Sequence, residues 1–316
     1  MIHRSTLIFS ALLLCKSIVT AEEPVHSPIV PAPTVATSQI QLTHDGAFKH
    51  RPQWHPDGQK LLFARHEASG NSIFVRIAKT GDFDHPTRLD KRNAPEYHAT
   101  YSPDGKNVLL TVITLSGTQG NLDIAIMPAD GTAEPRVVAG DHDGKLSHQD
   151  WPCWLPDGKR FVFNSTHEGN QELYLAYVDG SKPLERLTQS PGQDVHPAAS
   201  PDGKFLIFAT DRWSGLELAR LDLADRKITR ITTSPGLDDY PSISPDSKKW
   251  AFVSNRSGNP DIWISDFNGL SENLTRSKTP DFFPVFTPDG KNITYISGQH
   301  GQTNIYSMPI PQSWLK

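Results

Sequence analysis

His55-Pro56-Asp57-Gly58-Gln59, Ser102-Pro103-Asp104-Gly105-Lys106, Leu155-Pro156-Asp157-Gly158-Lys159, Ser200-Pro201-Asp202-Gly203-Lys204, Ser244-Pro245-Asp246-Ser247-Lys248 and Thr287-Pro288-Asp289-Gly290-Lys291 are six copies of one phrase. Proline presets φ for the second position of a tight turn, Asp bonds its own backbone, and Gly takes the left-handed conformation that closes a hairpin. Each copy therefore reads as a reversal between two strands. The prolines recur after 47, 53, 45, 44 and 43 residues. A repeat of that length built from short strands means radial repetition, and the expected product is a β-propeller.

Outward from each turn lies a run that is apolar on both faces: residues 61–64, 108–112, 161–163, 205–209, 250–253 and 293–296. Such a strand needs packing partners above and below its sheet. A second apolar strand follows in each unit, and a short one ends it, as in Arg88-Leu89, Arg186-Leu187-Thr188, Arg230-Ile231-Thr232 and Asn273-Leu274-Thr275. The sixth unit has no such final strand before the chain stops, but Ile40-Gln41-Leu42-Thr43 has its form. The expectation is an all-β, six-bladed propeller with four-stranded blades, closed by an N-terminal strand that completes the last blade and covers the open edges.

Residues 1–21 combine basic His3 and Arg4, an apolar stretch at 7–15, and Val19-Thr20-Ala21 before a cleavage point, which reads as a signal peptide removed near Ala21. The apolar stretch is too short to span a bilayer and ends at Lys16, so no transmembrane span is expected. Residues 22–37, rich in Pro, Val, Ala and Ser, read as a tether, and residues 38–316 as one propeller domain. The mature chain keeps Cys153 alone, which excludes an intramolecular disulfide. A net charge of -4 without a basic run excludes nucleic acid as a partner.

The succession of a Pro, an aromatic, Ser-Pro-Asp-Gly-Lys, an apolar strand, then Ser254-Asn255-Arg256-Ser257-Gly258-Asn259-Pro260-Asp261-Ile262-Trp263 resembles the repeat of the TolB-like six-bladed propeller family, whose blades are WD-like. The resemblance covers about residues 38 to 310. It implies export to a bacterial envelope, periplasmic or secreted. For function it implies a binding module, a lid on a peptidase, or, in a few lyases, a catalytic body.

Alignment of the repeats places Arg51, His98, Trp151, His196, Tyr240 and Phe283 at one position, just before the Pro or Ala that starts each inner strand. Asp150, Asp194, Asp238, Asp239 and Asp281 lie just upstream. Together these read as the rim of a channel mouth on the face of the disc where the loops feed the inner strands, carrying aromatic anchors and an acidic sector suited to cationic patches on a partner. The favoured reading is a monomeric, non-catalytic module that binds an envelope protein, a peptide segment or a glycan there, without a cofactor. On that reading Trp151→Ala and Tyr240→Ala leave the thermal midpoint nearly unchanged. The alternative is a metal-dependent polysaccharide lyase of the oligogalacturonate lyase type, for which the family offers a precedent, with His98, His148 and His196 holding manganese or zinc. The fragment Asp141-His142-Asp143-Gly144 starts like a calcium loop but lacks its later acidic ligands, and reads as a turn.

Overall fold

Each of the six phrases is a tight turn in the computed structural model, which describes residues 38–67, 73–92, 94–116, 119–140, 147–213 and 215–315. Gly58, Gly105, Gly158, Gly203 and Gly290 have φ between 65° and 73°. In every copy the Asp carboxylate accepts the backbone N–H two residues on, at 2.8–3.1 Å. The fifth copy has Ser247 where the others have Gly, and Ser247 adopts φ 60°. Its hydroxyl accepts the Asp202 N–H of the preceding blade at 3.1 Å, a bond that glycine could not supply and that offsets the left-handed strain.

The strands form six four-stranded antiparallel sheets. Their inner strands are Lys49–Trp54, Glu96–Tyr101, Gln149–Trp154, Asp194–Ala199, Asp238–Ile243 and Asp281–Phe286. The runs apolar on both faces are the second strands. In the first blade Leu62 enters the core shared with the second blade, while Leu61 and Phe63 enter the core shared with the sixth. Each apolar core thus lies between two blades, and a blade removed from the ring would expose both faces.

Closure occurs as the sequence implies. Ile40–Gln41 is the outer strand of the sixth sheet and pairs antiparallel with Asn304–Pro309, Ile40 opposite Ser307 and Gln41 opposite Tyr306. The chain continues the attachment past that short strand. Leu42 N–H donates to Ile305 O at 2.8 Å, and buried Thr43 Oγ1 accepts the Ile305 N–H at 2.9 Å while donating to Asn304 Oδ1 at 3.3 Å. Thr43→Val keeps the shape but strands the Ile305 amide without an acceptor, so it is expected to destabilise the ring by about 1–3 kcal/mol in chemical denaturation. The signal peptide and the tether expected from the sequence lie outside the described residues. Among the described residues no helix is long and apolar enough to cross a membrane.

Candidate functional site

Each inner strand carries one extra residue. In the first blade His50 pairs with Ala64 but Gln53 with Leu62, and the same shift recurs in the other five. The residues at these bulges are Arg51, His98, Trp151, His196, Tyr240 and Phe283, with φ of 43°, 43°, 57°, 54°, 52° and 55°. Left-handed backbone is uncommon for any side-chain-bearing residue and is disfavoured before proline, which follows five of the six. Repeated strain of this kind re-aims side chains, and strand bulges gather at functional sites.

The six side chains converge across the channel instead of lining its rim. Trp151 is their hub: its ring centroid lies 4.4 Å from those of His98 and His196, 5.4 Å from Tyr240 and 6.0 Å from Phe283. The Arg51 guanidinium sits 4.5 Å over the same indole. Tyr240 also meets His196 at 4.6 Å and Phe283 at 4.5 Å, so the contacts form a continuous layer.

Two carboxylates orient the layer. His98 Nδ1 donates to Asp150 Oδ1 at 2.7 Å, and that oxygen also accepts Thr111 Oγ1 and the Trp151 N–H. His196 Nδ1 likewise donates to Asp239 Oδ1 at 2.7 Å, which accepts the Tyr240 N–H at 2.6 Å. In both cases an Asp just before one bulge fixes the imidazole of the preceding blade. Burial alone would raise the Asp150 pKa, but His98 and the surrounding donors hold the carboxyl well below the usual range.

Asp194, Asp238 and Asp281 are elsewhere. As the first residues of their inner strands they have no exposed surface and lie between blades, so the acidic sector expected at a mouth does not form there. Asp194 pairs with Arg212, and Asp238 with Arg256 at 2.8 Å. These arginines stand two residues past the second strands Phe205–Thr210 and Lys249–Ser254. Past the sixth blade's Asn292–Ser297 that position is Gln299. Arg186 and Arg230 bind Glu172 and Glu217 in the third and fourth blades, whereas in the fifth Asn273 bonds Asp261. Among the described residues neither Asp281 nor Asp261, which meet between blades five and six, therefore has a paired cation. Neither Asp281 oxygen has a partner in bonding geometry. Burial pushes Asp281 up to about 7, against the nearby Ser297 and Thr275 hydroxyls and with the Asp261 charge adding to the rise.

The three-histidine metal centre does not form either. His98 and His196 flank the Trp151 ring with their Nδ1 atoms bonded to carboxylates. His148 is exposed, its amide bonded to Thr166 Oγ1. Among the described residues no group of three or more His, Cys, Asp or Glu could hold a metal ion. Among the described residues, His98, His148 and His196 do not fit the metal of a lyase-type channel. The fragment 141–144 lies outside the described residues.

Beyond the layer the channel holds a cavity of about 360 Å³. Its floor is Arg51, Trp151, Tyr240 and Phe283, and its lip is Pro56, Pro201, Pro245 and Pro288 of the tight turns. The cavity thus opens on the turn face of the disc, opposite the loop face where the sequence placed the mouth. Gln53, Thr100 and Ser242 on its wall had no signal except their place downstream of a bulge. Cys153 lines it too, and its sulfur accepts the Ala199 N–H at 3.1 Å.

Residues 222–315 match the family model described as the TolB beta propeller domain. The solved structure of TolB from Acinetobacter baumannii superposes with a TM-score of 0.64 at 23% identity, covering 81% of this chain and 64% of that one. The chain has a TolB-like propeller fold. An uncharacterized protein of Agrobacterium fabrum is 31% identical over 49% of this chain and 48% of its own length. The Tol-Pal system protein TolB of Francisella tularensis is 26% identical over 56% of this chain and 39% of its own length. The TolB-like propeller thus spans half or less of the length of these two relatives in the matched parts. A manganese-bound oligogalacturonate lyase shares the fold, with a TM-score of 0.60 at 15% identity over 93% of this chain and 98% of that one.

Proposed function

We propose that this TolB-like propeller is an exported, non-catalytic module of the cell envelope that takes a segment of a partner protein into the cavity on its turn face. The observation that carries the reading is the six-residue layer. It gives the channel a floor, leaving a preformed pocket of ligand-binding size whose walls need little ordering on binding. The titratable groups on that pocket suit binding better than proton transfer. Burial lowers Arg51 only to about 10 and raises Cys153 and Tyr240, which leaves no lining group with a pKa near neutrality. The imidazoles and Asp carboxylates lie in or behind the layer. A relative named for the Tol-Pal system agrees with an envelope role, and the poor fit of the histidines disfavours a lyase-type metal.

Filling the pocket tests this. Ala198, on the wall, is replaced by Arg, and the mature chain and the variant are immobilised and exposed to an envelope extract. A protein retained by the wild type and lost from Ala198→Arg, with unchanged circular dichroism, is the expected result. Equal retention by both overturns the reading, and loss of glycan alone replaces the protein partner with a sugar.

A further inference from the structure

Arg51 is the most buried arginine described, only 7% exposed, yet no carboxylate lies within ion-pair distance of it. Every other described arginine except the exposed Arg136 has such a partner, as in Arg212 with Asp194, Arg256 with Asp238 and Arg92 with Asp90. Arg51 donates only to backbone carbonyls, from Nη1 to His98 O at 2.9 Å and from Nη2 to Pro152 O at 2.7 Å. The carboxylate whose field reaches it, Asp150, is occupied by His98, Thr111 and the Trp151 amide. A desolvated cation held this way is costly unless a counter-charge arrives from outside the protein.

That cation lies on the cavity floor, and among the lining residues it alone carries a full charge at neutral pH. The walls around it are proline, aromatic and aliphatic side chains, with the Gln53 amide, the Thr100, Ser242 and Thr287 hydroxyls and the Cys153 thiol as neutral polar groups. Two hydrogen bonds to carbonyls leave N–H donors on the five-donor guanidinium, whose planar fork matches a carboxylate better than any neutral acceptor. Because the layer closes the channel beneath Arg51, a ligand must enter end-on or by a side chain and cannot thread through.

Resting on the reading that the turn-face cavity binds a protein segment, we infer that the group it receives is a peptide carboxylate, seated against Arg51. The carboxylate can come from a chain terminus or from an Asp or Glu side chain, and the test separates the two sources.

The immobilised mature chain is offered mixed-sequence hexapeptide pools in matched pairs. One pair is free acid against C-terminal amide, without acidic side chains; the other is amidated, with Glu against Gln at a fixed position. Retention of one acidic pool about tenfold or more above its neutral twin is expected, and the pool retained names the source. Arg51→Gln should abolish that preference. Should this variant misfold, the wild-type protein still decides: added acetate should displace the acidic pool where chloride at equal ionic strength does not. Equal retention of acidic and neutral pools overturns the inference while leaving cavity binding intact. Retention of no pool, alongside an envelope protein that Ala198→Arg loses, also overturns it. An envelope protein that Ala198→Arg still retains fails the underlying reading instead.

Discussion

Asp281→Asn should make the protein more stable at pH 8 and leave it nearly unchanged at pH 4. The native carboxyl titrates at about 7 against an ordinary value of 3.8, because it has no exposed surface and no arginine opposite it. At pH 4 the proton is on in the folded chain and still on in about two-fifths of the unfolded chains, so ionisation costs only about 0.5 kcal/mol. As pH rises toward 7 the unfolded chain releases its proton while the folded one holds it, and stability falls by about 1.4 kcal/mol per pH unit. Above pH 7 the loss levels off at roughly 4 kcal/mol, an order-of-magnitude figure that follows from the same linkage. Asparagine cannot ionise, and its amide can donate to the unpartnered Ser297 hydroxyl. Chemical denaturation of both proteins at pH 4, 6 and 8 measures the difference. A variant equal to or weaker than the wild type at pH 8 means that the carboxylate is neutralised by something other than its proton.

Trp151→Ala should lower stability by about 3–5 kcal/mol, as for a large core aromatic. The sequence reading expects almost no change, on the view that Trp151 is an exposed anchor; its 7% exposure and its contacts with five layer residues argue otherwise. The backbone sharpens the test. At φ 57° alanine inherits the left-handed strain of tryptophan, whereas glycine does not. Trp151→Gly should therefore match or exceed the stability of Trp151→Ala, by up to about 1 kcal/mol, reversing the order usual in a strand. If Gly is clearly the weaker variant, the left-handed bulge is not the native conformation there.

The turns, the blade count and the closing strand were legible because each rests on local chemistry that repeats. Pro-Asp-Gly makes the same reversal wherever it occurs, and residues 40–43 have the form of the strand missing from the last blade. Equivalence of Arg51, His98, Trp151, His196, Tyr240 and Phe283 was legible for the same reason. Their direction was not, since a residue before proline ordinarily reads as extended, and nothing local announces an added residue. Asp238 and Asp239 both precede the bulge, and the ordinary alternation of a strand turns Asp239 to the layer and Asp238 between blades. The unannounced bulge put the opening on the wrong face. The histidines misled because repeat alignment gives equivalence of position without the Trp151 ring that keeps His98 and His196 apart.

With an indole stopper at its waist the disc is a cup and not a pipe. Solutes that enter past the prolines must leave by the same route, and the two sides of the wheel can meet separate surfaces without sharing a passage between them.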